Sequence, residues 1–503
     1  MRLSLERSAF ENQHYSVTFI LFFGLLSLFS VKINHLGTIL SIVEFAIIWF
    51  YIVTKKPISA FISYLIFNAV SFEMDAFLYL SDTPPFQRHS FFLTPVFGVI
   101  PYVLTIIVLF FQVRSKYGIP IREREAKRFY FWLIILLVTG AIQGLICDLV
   151  NDNNVRGSSS YPTVTVIETI RFAALASFIG IGIMASQVKQ FRFLFVKCCK
   201  DILFGIGIIA LVSVGMGYEG VSANDTGRLL APLASLFVPF LLTYLYTETG
   251  VSIKNRGENY VLSFIAIGLI IVSVFRPNVM GSKWYLVLGS VLFVLVTYII
   301  HIKHYLLYFV LALFALFLIS TFSDLLLPAF SNSEFNEWKF GQTVNAINIF
   351  SYNSINEWFL NLDPSPAFRI DEVLNIGIEY TDKPFYSMLG KGFGGTTLHH
   401  TPFLFWENGD GTFSDEQIRL GAYYAMHESV PVIFLRHGLV GVLFMLQTLF
   451  VLLKRMPKTR WALLGIIWFF FFWRYGVSFW IGALALCLAL THSTEERREK
   501  NRF

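Results

Sequence analysis

Four arginines, Arg171, Arg228, Arg276 and Arg436, stand inside or at the ends of long apolar runs, where a charged side chain costs on the order of 2.5 kcal/mol or more. Arginine stays charged when partly desolvated, and its planar fork of donors matches phosphate, so several of them at one depth suit an anionic lipid head such as a diphosphate. His427-Glu428 stands just ahead of another apolar run. A histidine poised near neutral pH can take a proton from a sugar hydroxyl, and an adjacent carboxylate can orient it or do the work itself. Arg369 and Glu372, one turn apart on an expected helix, form a third candidate group. Each has a plainer reading. Glu168 at i−3 would serve as a structural partner of Arg171, Arg228 or Arg276 would snorkel, Arg436 would pair with a loop carboxylate, and a histidine at a loop-helix junction is commonly a cap.

The elements that must position these residues follow from composition. Of 503 residues, 55% are apolar and 14% charged, and the mean hydropathy is +0.62. No soluble core absorbs 54 Phe, 22 Tyr and 10 Trp while 39 Lys and Arg and 33 Asp and Glu cover the exterior. A nucleic-acid binder, a secreted enzyme and a disordered scaffold are excluded, and an all-α polytopic integral membrane protein is expected. Apolar runs long enough for a ~30 Å hydrocarbon layer recur at 15–31, 36–53, 58–80, 91–113, 130–147, 163–186, 201–217, 229–248, 260–275, 284–300, 306–323 and 429–453. A final stretch, 461–492, is too long for one helix and breaks at Trp473-Arg474-Tyr475-Gly476, which makes about fourteen transmembrane helices. The first run lacks a following small-residue cleavage pattern and reads as a retained span.

Alternate loops sort by charge. Basic residues gather at Arg2 and Arg7, Lys55 and Lys56, Arg114 to Arg128, Lys189 to Lys200, Lys254 and Arg256, Lys303, Lys454 to Arg460, and Arg497 to Arg502, which places both termini in the cytoplasm. The expected organisation is a transmembrane bundle of about eleven helices over 1–323, an extracytoplasmic domain over 324–428 before the twelfth span, transmembrane helices over 429–492, and a cytoplasmic basic tail over 493–503. The extracytoplasmic segment carries fourteen Asp and Glu against five Lys and Arg, a net of −9. Since the whole chain is +6, the basic excess belongs to the inner surface.

That segment lacks cysteine and must fold by packing its aromatics, with short helices near 333–361 and 367–378. Its Gly390-Lys391-Gly392-Phe393-Gly394-Gly395 run lacks the Lys-Ser/Thr ending of a phosphate-binding P-loop and reads as a tight turn. Cys147, Cys198, Cys199 and Cys487 have neither the number nor the spacing for a metal knuckle or a disulfide framework. Glu44, Glu73 and Asp75 lie in the spans and read as structural, although a proton-coupled carrier would use such carboxylates as relays.

Arg369, Pro384, Gly390-Lys391-Gly392-Phe393-Gly394, His427-Glu428-Ser429 and Gly438-Leu439-Val440-Gly441, in that order, resemble the signature region of bacterial O-antigen polymerases and O-antigen ligases. Gly227-Arg228 and Arg276 resemble the two outer-face arginines that this family uses on the lipid diphosphate. The resemblance implies a GT-C-type, inverting glycosyltransferase of the inner membrane with its active site facing the periplasm. It would use no metal or other cofactor, and its donor and acceptor would be undecaprenyl-diphosphate-linked oligosaccharides. Arg228, Arg276, Arg171 and Arg436 would hold the diphosphate, and His427, Glu428, Glu372 and Arg369 would serve catalysis. Ligases tend to have His-Asn in place of His427-Glu428, and about fourteen spans suit a polymerase better, so a polymerase is expected, with a polysaccharide chain-length regulator as a further partner. The alternatives are a ligase that passes glycan to a lipid A core and a flippase of lipid-linked glycans. A membrane acyltransferase would need a histidine within a span, and His301 reads as a boundary residue.

Overall fold

The computed structural model describes residues 17–29, 33, 35–70, 100–150, 161–215, 357–358, 361–362, 364–398, 400, 421–423, 426, 429–455, 459, 461–472 and 480–491. These residues are overwhelmingly helical. In chain order the helices are α1 (Val17–Phe29), α2 (Leu36–Val53), α3 (Pro57–Val70), α4 (Ile100–Tyr117), α5 (Arg124–Leu149), α6 (Tyr161–Ser186) and α7 (Lys189–Gly215), then α8 (Pro364–Asp382), α9 (Pro384–Leu389), α10 (Ser429–Arg455), α11 (Trp461–Phe472) and α12 (Trp480–Leu490). Between α9 and α10 two short strands, β1 (Thr397–Leu398) and β2 (Ala422–Tyr423), pair antiparallel, with Thr397 opposite Tyr423. Helices α2, α5, α6 from Val164 onward, and α10 are each long and apolar enough to cross a membrane. The protein is thus a helical protein with membrane-spanning helices, in agreement with the composition.

The chain divides into two compact units, Met1–Ile119 with Ala185–Val291 and Val477–Ile481, and Pro120–Met184 with Leu292–Gly476 and Gly482–Phe503. In the first, α1 lies along α7. Gly24 and Gly205 receive the side chains of Ile209 and Ile20, and small residues at such positions are what lets membrane helices approach. Phe19, Phe23 and Phe67 cluster at ring-centroid distances of 4.7 to 5.8 Å. Helices α2 and α3 turn at Lys55 (φ 56°), and polar ties reach α4, Trp49 Nε1 donating to Thr105 Oγ1 at 3.1 Å. Glu44 is fully buried in α2, whereas Glu73 and Asp75 lie outside the described residues.

In the second unit α10 packs on α5 and α11, with Phe129 stacked on Phe444 at 5.4 Å and Phe469 against both. Arg455, at the end of α10, pairs with Glu125 and donates to the carbonyls of Ala489 and Leu490 at 3.0 and 2.8 Å. A guanidinium there satisfies carbonyls that the end of α12 leaves without intrahelical partners.

Several expected boundaries shift. Residues 189–200, read as an inner loop, are the first three turns of α7, because Phe191, Phe195, Cys198 and Ile202 recur at helical spacing and are buried. Within 461–492 the described residues form α11 and α12, and the break expected at Trp473-Arg474-Tyr475-Gly476 lies outside the described residues. The helix expected over 367–378 runs from Pro364 to Asp382 and ends where Pro384 would interrupt it. Most of 333–361 lies outside the described residues.

Candidate functional site

The site grows from a break in α10. Gly438 has φ 56° and ψ −153° in the middle of that helix, a conformation open to glycine, and a Cβ there would lie 2.6 Å from the backbone of Met388. The carbonyls one turn earlier accept from outside the helix. Leu435 O takes the Lys391 N–H at 2.8 Å and the Tyr380 hydroxyl at 2.6 Å, and Arg436 O takes the Gly392 N–H at 3.0 Å. The glycine run is therefore a strap laid into the kink.

Its other side rests on α5 and α6. Phe393 N donates to Gly140 O at 2.9 Å, and Gly392 lies against the backbone of Gly140 and Gly144. Gly394 abuts Thr165, and its N–H donates to Glu168 Oε2 at 2.7 Å. Gly390, Gly392 and Gly394 all have φ between 72° and 75°. A side chain at any of them would enter neighbouring atoms and impose a left-handed strain together. The tight turn expected here is present, Gly395 N donating to Gly392 O at 3.2 Å, and it is buried as a strap between Gly140 and Gly144 of α5, Thr165 of α6 and the kink at Gly438 of α10.

Two ion pairs fasten the strap. Glu168 on α6 pairs with Arg436 on α10, so one carboxylate joins α6, α10 and the strap. Lys391, with no exposure at all, pairs with Glu379 on α8 and donates to Thr396 O at 2.8 Å. Glu379 Oε2 also accepts from Thr397 Oγ1 at 3.0 Å and from Leu398 N at 3.3 Å, and His400 Nε2 lies 3.9 Å away. Tyr380 is held well above the usual phenol pKa by burial, with the neighbouring Glu379 carboxylate adding to it, so its hydroxyl stays a donor to Leu435 O. Phe393 meets His437 edge-on at 5.4 Å and Phe172 at 5.2 Å, closing the α6 side of the strap.

Several sequence expectations change here. Arg436, expected at an open diphosphate site, is 6% exposed and held by Glu168. Its partner is a carboxylate of a spanning helix rather than of the loop. Arg171 consequently is not the partner of Glu168. Residues Thr165, Glu168 and Phe172 share the strap-facing stripe of α6, and Arg171 lies about 60° around the helix from Glu168, at its flank. It is half-buried and has no carboxylate partner among the described residues.

Arg369 and Glu372 do fall one turn apart on α8, Arg369 half-buried and Glu372 fully buried. Arg228, Arg276, His427, Glu428 and His301 lie outside the described residues. Glu379, Tyr380 and the glycines of α5 have no place among the residues singled out from the sequence, and Lys391 appears there only as part of the glycine turn, although Gly140-x-x-x-Gly144 within a span is a signal for close approach. Among the described residues no three His, Cys, Asp or Glu side chains converge as metal ligands. What the arrangement offers chemically is a glycine-built junction with the Arg171 guanidinium, which has no carboxylate partner among the described residues, at its flank. No protein-family model, no curated protein and no solved structure matches the chain.

Proposed function

We propose that the chain is an inverting, metal-independent glycosyltransferase that polymerises undecaprenyl-diphosphate-linked oligosaccharide repeat units on the outer leaflet of the inner membrane. On this reading it is a GT-C-type protein of about fourteen spans, and residues 324–428 face the periplasm.

The observation that carries the reading is Arg171. It stands seven residues into the apolar part of a spanning helix, half-buried, without a carboxylate partner among the described residues. A guanidinium at that depth is costly unless it meets a negative charge, and a lipid diphosphate brings one to that level. The folding of residues 380–396 onto α10 near Gly438 supports the same reading, since distant parts of the signature region meet in one junction.

In the reaction, an acceptor hydroxyl oxygen attacks the anomeric carbon from the face opposite the diphosphate. The bond from that carbon to the diphosphate oxygen breaks, and undecaprenyl diphosphate leaves with the electron pair. Arg228, Arg276 and Arg171 stabilise the charge that develops on it. His427 or Glu372 takes the hydroxyl proton, and Arg369 and Glu428 orient that base. Arg436, committed to Glu168, contributes by holding α6 and α10 in place.

The test is purified protein with its lipid-linked repeat unit, resolved on a gel without added metal or nucleotide. A ladder of multiples is expected, and Arg171→Ala should lower its rate about 100-fold. Arg171→Lys should recover little, because the two-pronged donor is lost. A ladder unchanged by Arg171→Ala removes that residue from the site. An unextended repeat unit that is passed to a lipid A core marks a ligase, and one that is moved between leaflets intact marks a flippase.

A further inference from the structure

Helix α8 is inside out for a helix in water. Its buried side holds Asp371, Glu372, Asn375 and Glu379, all at most 8% exposed, together with Ile376 and Tyr380, while Leu374 and Ile378 on the adjoining stripe of the helix are 43% and 42% exposed. Phe385 and Met388 of α9 extend that face at 59% and 50%. An amphipathic helix at an aqueous surface exposes its carboxylates and buries its leucines, and large apolar side chains exposed on two successive helices mark a contact with protein or lipid.

The neighbouring helix decides which. The backbone of Met388 lies on Gly438 of α10. Gly438 stands sixteen residues before Lys454, the basic end of that helix, which is roughly 24 Å along its axis. That distance falls within a ~30 Å hydrocarbon layer. Just past Gly438 begins the exposed apolar stripe of α10, Leu439, Leu443, Leu446 and Phe450, at helical spacing. The exposed face of α9 is therefore at the depth of a lipid-facing stripe and next to it. The corner between α8 and α9 is polar and exposed at Asp382 and Lys383, and Lys383 Nζ reaches back to 5.5 Å from the Tyr386 ring centroid. A lysine at that level can bury its stem and keep its ammonium among phosphates.

We propose that the α8–α9 hairpin is seated in the bilayer leaflet remote from Lys454, with Leu374, Ile378, Phe385 and Met388 against acyl chains and the Asp382 and Lys383 corner among the headgroups. It is then an interfacial element of the kind that lies in the membrane plane, not part of a domain standing clear of the membrane. The carboxylate-rich face, turned away from lipid, meets the strap and α10.

The experiment places a nitroxide on single cysteines introduced as Leu374→Cys, Ile378→Cys, Phe385→Cys and Met388→Cys, in protein reconstituted into phosphatidylcholine and phosphatidylglycerol vesicles. The wild-type chain serves as the labelling blank. Relaxation by oxygen, which partitions into acyl chains, is compared with relaxation by a water-soluble nickel chelate. Leu443→Cys on α10 is the lipid control and reports the fold in the same preparation, and Asn361→Cys, at an exposed polar position, is the water control. The four labels should show an oxygen-to-nickel ratio close to that of Leu443→Cys and several-fold above that of Asn361→Cys. A nickel-dominated signal would put the face in water, and suppression of both collisions would put it under protein. Either result overturns the proposal. The readout is accessibility and not turnover, so it stands or falls separately from the glycosyltransferase reading.

Discussion

Glycine serves both units of the molecule, but for different ends. In the α1–α7 pair of the first unit, Gly24 receives the Cδ1 end of Ile209, and Gly205 receives the Cγ2 methyl of Ile20. In the second, Gly390, Gly392 and Gly394 of the strap and Gly438 of the α10 kink lie mainly against backbone, with Thr165 as the further neighbour at Gly394. The first arrangement seats isoleucine side chains against helix glycines. The second brings peptide groups within hydrogen-bonding distance and adds two buried ion pairs, Glu168 with Arg436 and Lys391 with Glu379. Flexible side chains can yield to a newcomer, whereas peptide groups fixed in two helices cannot. The first unit is therefore built to tolerate change, and the junction of the second is built to fix one geometry.

That contrast can be broken by adding one methyl group to each. Gly392→Ala would drive its Cβ into the backbone of Gly140 and Gly144 at a left-handed φ, and should cost roughly 3 kcal/mol or more, read as a large fall in the thermal midpoint of the detergent-solubilised protein. An unchanged midpoint would mean that the strap is not seated as described.

A slightly smaller effect is expected where the ion pair is cut. Glu168→Ala leaves Arg436 buried without its carboxylate and should cost about 3 kcal/mol, close to the lower end for such pairs. The double variant Glu168→Ala with Arg436→Met should recover much of that, because no charge is then stranded. If the double variant is as unstable as the single one, the lost Gly394 hydrogen bond and not the charge is what mattered.

Tyr380→Phe sharpens the comparison at about 1 kcal/mol, the worth of one hydrogen bond to Leu435 O. It also has a pH signature. The Tyr380 pKa is raised in the folded protein, so its contribution is complete below the ordinary phenol value near 10 and is lost as the pH rises beyond it towards the folded value. A midpoint scan above pH 10 should fall more steeply for the native protein than for Tyr380→Phe, and parallel curves would remove Tyr380 from that role.

Gly24→Ala should be the mildest, within about 1 kcal/mol, since the atom in its way is the flexible end of Ile209. A loss as large as that of Gly392→Ala would erase the distinction between the two units.

Much of this architecture is legible in the residue order. The helix over 364–382 shows as apolar and polar periodicity ended by Pro384, and the spans show as hydropathy. The start of α7 does not, because lysines at inner positions carry the same charge signal whether they lie in a loop or on the solvated side of a protruding helix. The partner of Glu168 is equally illegible. Arg171 and Arg436 are the same residue type near the same depth, and local spacing favours the wrong one.

Composition and hydropathy by themselves determined that this chain is a helical membrane protein, and the distribution of lysine and arginine gave it an expected orientation, since burial of apolar surface and charge asymmetry act through residue type alone. Tertiary structure decided which arginine is spent on Glu168, that a lysine in a glycine run is buried against Glu379, and that a kink in α10 receives the strap. Those outcomes depend on which surfaces meet across 12 residues of sequence for Lys391 with Glu379 and 268 for Glu168 with Arg436, and no local pattern encodes that.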